Sequence, residues 1–193
     1  MKLFEKGQIG SMKVKNRICM APMGTKTAVD GGFEERSIEY FRQRAAGGTG
    51  LIFTGLNMVC TEFETRAANT LEGFHQTDRL GLLCDKVHQE GAKIIVQIGP
   101  GLGRVGPPQC VINEMKLPCS ASLNPNFYIP ELPCLPLTDL ALHKIIKNGG
   151  QAASDAKTAG LDGVYLHGHE GYLLDQLTNP AFNRRKAGRY AYW

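Results

Sequence analysis

The sequence has no long hydrophobic run and no paired metal-binding cysteines. Its longest apolar stretches are only a few residues, whereas a helix that spans a bilayer needs about 20. Charged residues at Lys2, Glu5 and Lys6 interrupt any run that would serve as a signal peptide. Its six cysteines include no C-x-x-C pair, and no histidine pair completes a zinc-ligand spacing. These absences predict a cytoplasmic protein with reduced thiols, no membrane segment and no bound metal.

Basic residues are too few to indicate nucleic-acid binding. The net charge is only +4, and much of it comes from Arg184, Arg185, Lys186 and Arg189 near the C-terminus. The sequence has no long basic stripe with interleaved aromatic residues, which is the usual footprint of a nucleic-acid-binding surface. Nucleic acid is therefore not expected as a partner.

Glycine and proline, by contrast, are plentiful. The 193 residues include 23 glycines and 10 prolines, and 42% of the residues are hydrophobic. A chain of this length can bury a core, and its many turn-forming residues suit a fold with repeated strand-to-helix connections. We therefore expect an α/β protein rather than a helical bundle.

Short apolar segments alternate with amphipathic segments along the chain. The apolar segments predict strands at Arg17–Ala21, Leu51–Thr54, Lys93–Ile98 and Gly163–His167. Helical periodicity predicts helices at Glu34–Ala46, His75–Glu90 and Leu140–Ala159. The apolar face of the last helix is assigned to Leu142, Ile145, Ile146 and Ala153. Continuously apolar strands that are separated by helices indicate a parallel sheet covered by helices.

The turns after the strands narrow the choice of fold. No strand is followed by a G-x-G-x-x-G turn, because Gly101-Leu102-Gly103 lacks the third glycine, and this disfavours a Rossmann unit. The remaining candidate is a (β/α)8 TIM barrel, whose eight strands take about 250 residues. Because the chain supplies four β/α units, the sequence predicts a truncated half barrel.

One long segment, residues 99–137, shows little periodicity and contains Pro107-Pro108. Loops of this length are uncommon inside a compact domain unless they form a lid or bind a ligand. We therefore expect this segment to cover the open face of the half barrel as a partial lid.

Several motifs occur together in a family-specific order. Lys15-Asn16-Arg17-Ile18 leads to Ala21-Pro22-Met23-Gly24, and Tyr40-Phe41 leads through Arg44-Ala45 to Gly47-Gly48-Thr49-Gly50-Leu51-Ile52. Val96-Gln97 ends the third strand, and His167-Gly168-His169-Glu170-Gly171-Tyr172 opens a segment that runs to Asn183-Arg184-Arg185. From residue 3 to about 185 the chain resembles the old yellow enzyme (NADH:flavin oxidoreductase) superfamily. The resemblance is closest to the branch of 2,4-dienoyl-CoA reductases, enoate reductases and bile-acid flavoenzymes.

The resemblance implies an FMN-dependent oxidoreductase of the ene-reductase type. Its substrate would be a small molecule with a C=C bond conjugated to a carbonyl or an acyl thioester, and NAD(P)H would supply the electrons. The resemblance also implies Tyr172 as the proton donor and His167 as a hydrogen-bond donor to the substrate carbonyl. Strand ends and the loops after them carry the active site of a β/α barrel. At these positions the resemblance places the flavin against Pro22, Met23, Gly24, Gly55 and Gln97.

Each of these positions also has a purely structural interpretation. Gly24 and Gly55 suit tight turns as well as the close approach of a planar ring. The buried amide of Gln97 needs a partner, which a neighbouring loop could supply in place of a flavin. Tyr172 fits a packing tyrosine, and His167 fits a histidine that caps the fourth strand.

The chain departs from the family pattern in two places. Glu170 stands where simple members carry a second histidine or an asparagine, and an ionised carboxylate cannot donate a hydrogen bond to an enolate. This favours acyl-thioester and enoate substrates. The phosphate-binding loops, and any FAD or iron–sulfur segment, would belong to a missing C-terminal part. Residues 1–186 are therefore interpreted as the half barrel and residues 187–193 as a divergent tail. The chain alone is expected to bind FMN weakly or not at all and to turn over no substrate.

A non-catalytic half barrel is the main alternative. Such a chain would need a complementary chain, or it would self-associate through its open strand edges. A different flavin barrel, such as a dihydroorotate-type dehydrogenase, is disfavoured by the segment from His167 to Asn183.

Overall fold

A computed structural model describes residues 2–25, 28–64 and 66–191, so the last two residues of the expected tail lie outside it. The strands are β1 (Gly7–Ile9), β2 (Met12–Val14), β3 (Cys19–Met23), β4 (Leu51–Met58), β5 (Asn69–Thr70), β6 (Lys93–Gly99), β7 (Cys119–Ser120), β8 (Asn124–Pro125), β9 (Pro133–Pro136) and β10 (Gly163–Leu166). The α-helices are α1 (Glu35–Ala46), α2 (Phe74–Gln89), α3 (Pro108–Glu114), α4 (Asp139–Thr158) and α5 (Leu173–Thr178). In this part of the chain no helix combines the length and the apolarity that a membrane crossing requires.

The main sheet has the strand order β10-β6-β4-β3, and the short strand β5 also pairs with β4. β3 pairs with β4 in parallel, and so does β6 with β10. Helices α1, α2 and α4 connect these four strands along the chain. The prediction of four β/α units is therefore confirmed. The antiparallel pair β1 and β2, which precedes this sheet, is absent from the sequence prediction.

Contacts divide the chain into two compact units. The sheet unit comprises Met1–Asn57, Ala68–Ile98 and Gln151–Leu166. The loop unit comprises Met58–Ala67, Gly99–Gly150 and His167–Trp193. Both units are assembled from segments that are far apart in the sequence. The proposed boundary at residue 186 stays a prediction.

Two of the expected strand ends are wrong. β3 runs through Pro22 to Met23, and β4 runs through Gly55 to Met58. A proline is tolerated in β3 because this strand is last in the sheet order, where a missing N–H costs little. The register between β3 and β4 shifts between Met20 and Met23, which accommodates the proline locally.

The apolar face of α4 also differs from its prediction. Leu142 and Ile145 are buried as expected, but Ile146 is 59% exposed. Ala152 and Ala156 are buried in place of Ala153. Residues three or four positions apart align on one side of a helix. The buried side of α4 follows that spacing and does not include Ile146.

Two polar side chains before β3 bind backbone carbonyl groups at the C-terminal ends of neighbouring helices. The Nζ of Lys15 donates to the carbonyl oxygens of Ala45 at 3.2 Å and Glu90 at 2.7 Å. The Nδ2 of Asn16 donates to the carbonyl oxygen of Gly48 at 2.7 Å. Carbonyl groups at helix C-termini have no partner inside the helix, so these bonds explain structurally why a lysine and an asparagine stand in the Lys15-Asn16 motif.

The segment 99–137 contains regular structure that its composition does not predict. A 3-10 turn at Gly103–Val105 and helix α3 are followed by a small sheet in the order β7-β9-β8. The prediction of an irregular segment is therefore wrong, because strands of two to four residues are too short to show any alternation. The partial-lid role of the segment stays a prediction.

Buried polar side chains hold this segment within the loop unit. Gln176 of α5 is fully buried. Its Oε1 accepts a hydrogen bond from Ser120 Oγ at 2.7 Å, and its Nε2 donates to the carbonyl oxygens of Gly171 at 2.6 Å and Leu102 at 3.3 Å. One side chain therefore links three separate parts of the loop unit.

The Arg184-Arg185 pair has a similar structural task. Arg185 donates through Nε to the carbonyl oxygen of Ala121 at 2.9 Å and forms an ion pair with Asp139 at 2.9 Å. Arg184 donates through Nη1 to Asn124 Oδ1 at 2.9 Å. These two basic residues therefore bind the loop unit's own carbonyl and carboxylate groups.

A buried carboxylate anchors the start of the same segment. Glu64 is 3% exposed and accepts hydrogen bonds from the N–H groups of Leu102 at 2.6 Å and Gly103 at 2.7 Å. Gly101 has φ +138°, and an added Cβ there would lie 1.4 Å from Glu64 Oε1, so glycine is required at this position. Burial raises the pKa of Glu64 to about 7, although the N–H groups of Gly103 and Leu102 act in the opposite direction.

Glu64 should make the folded protein less stable as the pH rises. Its ordinary pKa is 4.5 and its folded pKa is about 7, so the folded state binds the extra proton between these values. This contribution to stability is fully present below the ordinary pKa and is lost as the pH rises through the folded pKa. We expect the free energy of unfolding, measured with urea from pH 5 to 8, to fall less steeply in Glu64→Gln than in the wild type.

The control is Glu131→Gln, which changes an exposed glutamate of the same unit. That variant should keep the wild-type dependence on pH. Identical slopes for Glu64→Gln and the wild type would contradict the assigned role of Glu64.

Candidate active site

Gly24 and Gly55 lie against each other in the sheet unit. An added Cβ at Gly55 would lie 2.5 Å from the Cα and 2.6 Å from the N of Gly24, and 2.7 Å from the carbonyl oxygen of Met23. An added Cβ at Gly24, by contrast, would meet no atom of the described residues within 4 Å. The two glycines therefore have different roles. Gly55 allows the backbone of Met23 and Gly24 to approach, whereas Gly24 leaves open space where its own side chain would be.

A buried amide connects these residues to Gln97. The Nδ2 of Asn57 donates to the carbonyl oxygens of Gly55 at 2.9 Å and Gln97 at 3.1 Å. Thr54 Oγ1 accepts a hydrogen bond from the N–H of Gln97 at 3.1 Å. The end of β3, the second half of β4 and Gln97 of β6 therefore lie close together, and their role as flavin-binding residues stays a prediction. Sequence reasoning missed Asn57 and Thr54, although a polar pair inside an apolar strand is a usable signal.

Two polar side chains in the sheet unit are buried near this cluster. Gln97 is 3% exposed, and Asn57 and Thr54 bind only its backbone. The hydroxyl oxygen of Thr25, the residue after Gly24, is buried and has no hydrogen-bond partner within residues 2–25, 28–64 and 66–191. Buried polar groups in folded proteins nearly always have partners, so both groups are candidates for contact with a ligand.

In the loop unit, His167 lies against two other aromatic rings. Its ring is stacked on Tyr172, with a centroid distance of 4.3 Å and an interplanar angle of 24°. The ring of His169 also lies close to that of His167, with a centroid distance of 4.6 Å and an interplanar angle of 32°. The structure thus brings the predicted pair His167 and Tyr172 together. It adds His169, which sequence reasoning missed although a second histidine two residues away is visible in the motif.

Glu170 faces both histidines. Its Oε2 lies 3.5 Å from His167 Nε2, and its Oε1 lies 3.9 Å from His169 Nδ1. The backbone of Glu170 is left-handed, with φ +62°, and the following Gly171 has φ +71°. This turn is closed by the N–H of Gly171, which donates to Asp175 Oδ2 at 2.8 Å.

The surroundings of these side chains favour their neutral forms. Burial lowers the pKa of His167, and the nearby His169 acts in the same direction while Glu170 opposes it. Burial raises the pKa of Tyr172, and the charge of Glu170 and the phenol of Tyr128 add to this. At neutral pH His167 therefore has one N–H and one bare nitrogen, and Tyr172 keeps its phenol proton. The buried Nδ1 of His167 has no partner in the described part of the chain.

Comparison with known proteins adds to this geometry. The model of the NADH:flavin oxidoreductase / NADH oxidase family matches residues 2–190. The chain is 38% identical over 191 residues to a cinnamate reductase of Clostridium sporogenes and 36% identical over 193 residues to an NADH oxidase of Thermoanaerobacter brockii. Each alignment covers 95% of this chain but only 28% of the relative.

A solved structure agrees with the fold. The old yellow enzyme of Pichia sp. AKU4542 superimposes with a TM-score of 0.87 at 24% identity. The alignment covers 100% of this chain and 52% of that enzyme. The predicted fold class, a (β/α)8 barrel represented by about half of its units, is thereby confirmed.

The two glycines should respond differently to alanine. Gly55→Ala forces a Cβ into the backbone of Met23 and Gly24, and overpacking of this kind costs about 1–3 kcal/mol. Gly24→Ala is the matched control, because its Cβ meets open space, and we expect a change within about 0.5 kcal/mol. Urea unfolding monitored by circular dichroism measures both. A Gly55→Ala protein as stable as the wild type would show that the two backbones are not in contact.

Proposed function

This chain belongs to the NADH:flavin oxidoreductase / NADH oxidase family, and we propose that it is an FMN-dependent ene reductase. Its proposed substrates are small molecules with a C=C bond conjugated to a carbonyl or an acyl thioester, and its proposed electron donor is NADH or NADPH. The observation that carries the proposal is the contact between a protonated Tyr172 and a neutral His167. The cinnamate reductase and the NADH oxidase among its relatives agree with these classes of substrate and donor.

The residues of the sheet unit fit a flavin. Gln97 is buried, and its amide has a donor and an acceptor that match the polar edge of a flavin ring system. Gly24 leaves open space beside the backbone, so a planar ring can approach it closely. Pro22 and Met23 are exposed at the end of β3 and offer apolar surface to such a ring. We propose that Pro22, Met23, Gly24 and Gln97 hold FMN, with Thr25 as an additional hydrogen-bond donor.

Gly55 has a supporting role in this proposal. Its missing side chain is filled by the backbone of Met23 and Gly24, so it positions the flavin-binding residues and leaves no space of its own for a ring. This agrees with the structural interpretation of Gly55 and differs from the role that the family resemblance implies for it.

The loop-unit residues supply the proton chemistry. When bound and reduced, FMN supplies the hydride that adds to the β-carbon of the alkene. A neutral His167 can donate its N–H to the substrate oxygen, where negative charge develops. Tyr172 then donates its phenol proton to the α-carbon, so that one hydride and one proton saturate the bond, and solvent restores the proton of Tyr172. The raised pKa of Tyr172 keeps this proton in place until the enolate forms.

His169 is proposed as a second donor to the substrate oxygen. Its ring lies beside that of His167, and it is largely exposed. Glu170 cannot donate, but its carboxylate lies close enough to orient both imidazoles. This gives the glutamate an orienting role in place of the carbonyl-binding role of a second histidine.

A non-catalytic role remains the second candidate, and one observation favours it. β10 and β3 are last in the order of the main sheet, and Val164, Tyr165 and Leu166 of β10 are 43%, 41% and 61% exposed. Exposed apolar strands at a sheet edge promote pairing with another chain. A complementary chain or a second copy would cover this surface.

Titration of FMN into the purified chain tests the proposal. Weak binding is expected, and Gln97→Met should weaken it by about 10-fold, because the loss of a hydrogen bond of about 1–1.5 kcal/mol corresponds to that factor. Gln43→Met, which changes an exposed glutamine of α1, is the control and should bind like the wild type. Flavin fluorescence gives the affinity, and light scattering gives the mass. Oligomers that bind no FMN would support the second candidate instead.

Tyr172→Phe separates the two halves of the proposed reaction. In the full-length parent, the FMN-loaded variant should oxidise NADH with oxygen at the rate of the wild type, because that reaction needs no proton from Tyr172. Reduction of a cinnamate-type alkene should slow by about 100- to 10,000-fold, the usual effect of losing a general acid. Tyr165→Phe, which changes an exposed tyrosine of β10, is the control. Full alkene reduction by Tyr172→Phe would remove Tyr172 from the mechanism.

A further inference from the structure

Three side chains of the loop unit converge in a way that the sequence did not indicate. His167, His169 and Glu170 each offer one ligand atom, and these atoms all lie within 4.8 Å of one another. We propose that they form a binding site for a divalent first-row transition metal, with Zn²⁺ as the representative ion. The sequence predicts no metal because these residues match no zinc-finger spacing. The local turn, rather than the spacing, brings them together.

The donor set selects the class of ion. Two imidazole nitrogens and one carboxylate oxygen suit zinc, copper, nickel or ferrous iron, whereas magnesium and calcium prefer all-oxygen sites. Bonds of about 2.0–2.2 Å to zinc would draw the three donors closer than they are now. His169 and Glu170 can make that movement because they are 60% and 58% exposed at their side chains.

The third ligand is already fixed in place. His167 is only 6% exposed at its side chain and is stacked on Tyr172. Glu170 points back to both histidines because of its left-handed backbone at φ +62°, which is uncommon for a residue with a side chain. One rigid ligand and two adjustable ligands therefore stand on a single closed turn.

A simple ion pair explains the cluster less well. The distances of 3.5 Å and 3.9 Å from the Glu170 oxygens to the two imidazoles are long for a charge-assisted hydrogen bond. A central ion would satisfy all three groups at once. Histidine ligands usually donate their second N–H to an outer acceptor. The Nδ1 of His167 has none in the part of the chain that the structure describes, so we expect a moderate affinity rather than that of a structural zinc site.

The proposed ion would interfere with the proposed reaction. A metal bound at His167 Nε2 replaces the proton that this nitrogen could donate to a substrate oxygen. The inference shares His167, His169 and Glu170 with the proposed function, but it rests on side-chain geometry, and its test needs neither FMN nor substrate.

Calorimetric titration of ZnCl₂ into the untagged chain tests the site, and CoCl₂ provides a visible absorption spectrum of the bound ion. One ion per chain is expected. His169→Ala and Glu170→Gln should each weaken binding by at least about 10-fold, which is the effect of losing even an outer-sphere partner. The controls are His143→Ala, an exposed histidine of α4, and Tyr172→Phe, which keeps all three ligands, and both should bind one ion.

Circular dichroism establishes that each variant is folded. Wild-type affinity in both His169→Ala and Glu170→Gln, or an equal loss in His143→Ala, would overturn the metal site. Such a result would leave the proposed reductase activity untouched, because the FMN and alkene experiments are read separately.

Discussion

The register between neighbouring strands is the constraint on which the proposed flavin contacts depend. Met23 of β3 pairs with Thr54 of β4, and Asn57 binds the backbone of Gln97 in β6. Because side chains alternate between the faces of a strand, a slip of one residue would turn Gln97 to the opposite face. Asn57 and Thr54 therefore do more than supply hydrogen bonds to backbone groups. They fix which residues of β4 and β6 can present groups to the same ligand.

The sheet was largely predictable from the sequence because its signals are local. Apolar runs marked all four parallel strands, and helical spacing marked the helices between them. The exceptions are residues whose task depends on a neighbour. In the sequence Gly55 suggests a strand end, yet β4 continues through it. A glycine stands there because the backbone of Gly24 occupies the space that a Cβ of residue 55 would need. The sequence around Gly55 contains no signal for this contact with Gly24.

The loop unit was less predictable because buried polar contacts, rather than apolar periodicity, organise it. Glu64 binds the N–H groups of Leu102 and Gly103, and Gln176 binds Ser120. These partners are separated by 38 to 56 residues, so no window of the sequence contains both members of a pair. The candidate site shows the same contrast. His167 and Tyr172 were identified through the family motif, whereas the approach of His169 and Glu170 depends on the left-handed turn at Glu170.

The position of Gln176 has a consequence for synthesis on the ribosome. β3, β4 and β6 leave the ribosome well before α5, so their strands can pair while translation continues. Residues 99–137 emerge next, but Gln176, whose side chain links Leu102 to Ser120, is added 74 residues after Leu102. Until then this stretch exposes polar backbone groups without their final partner. Nascent chains halted before α5 should therefore carry a folded sheet beside a segment that proteases and chaperones can still reach.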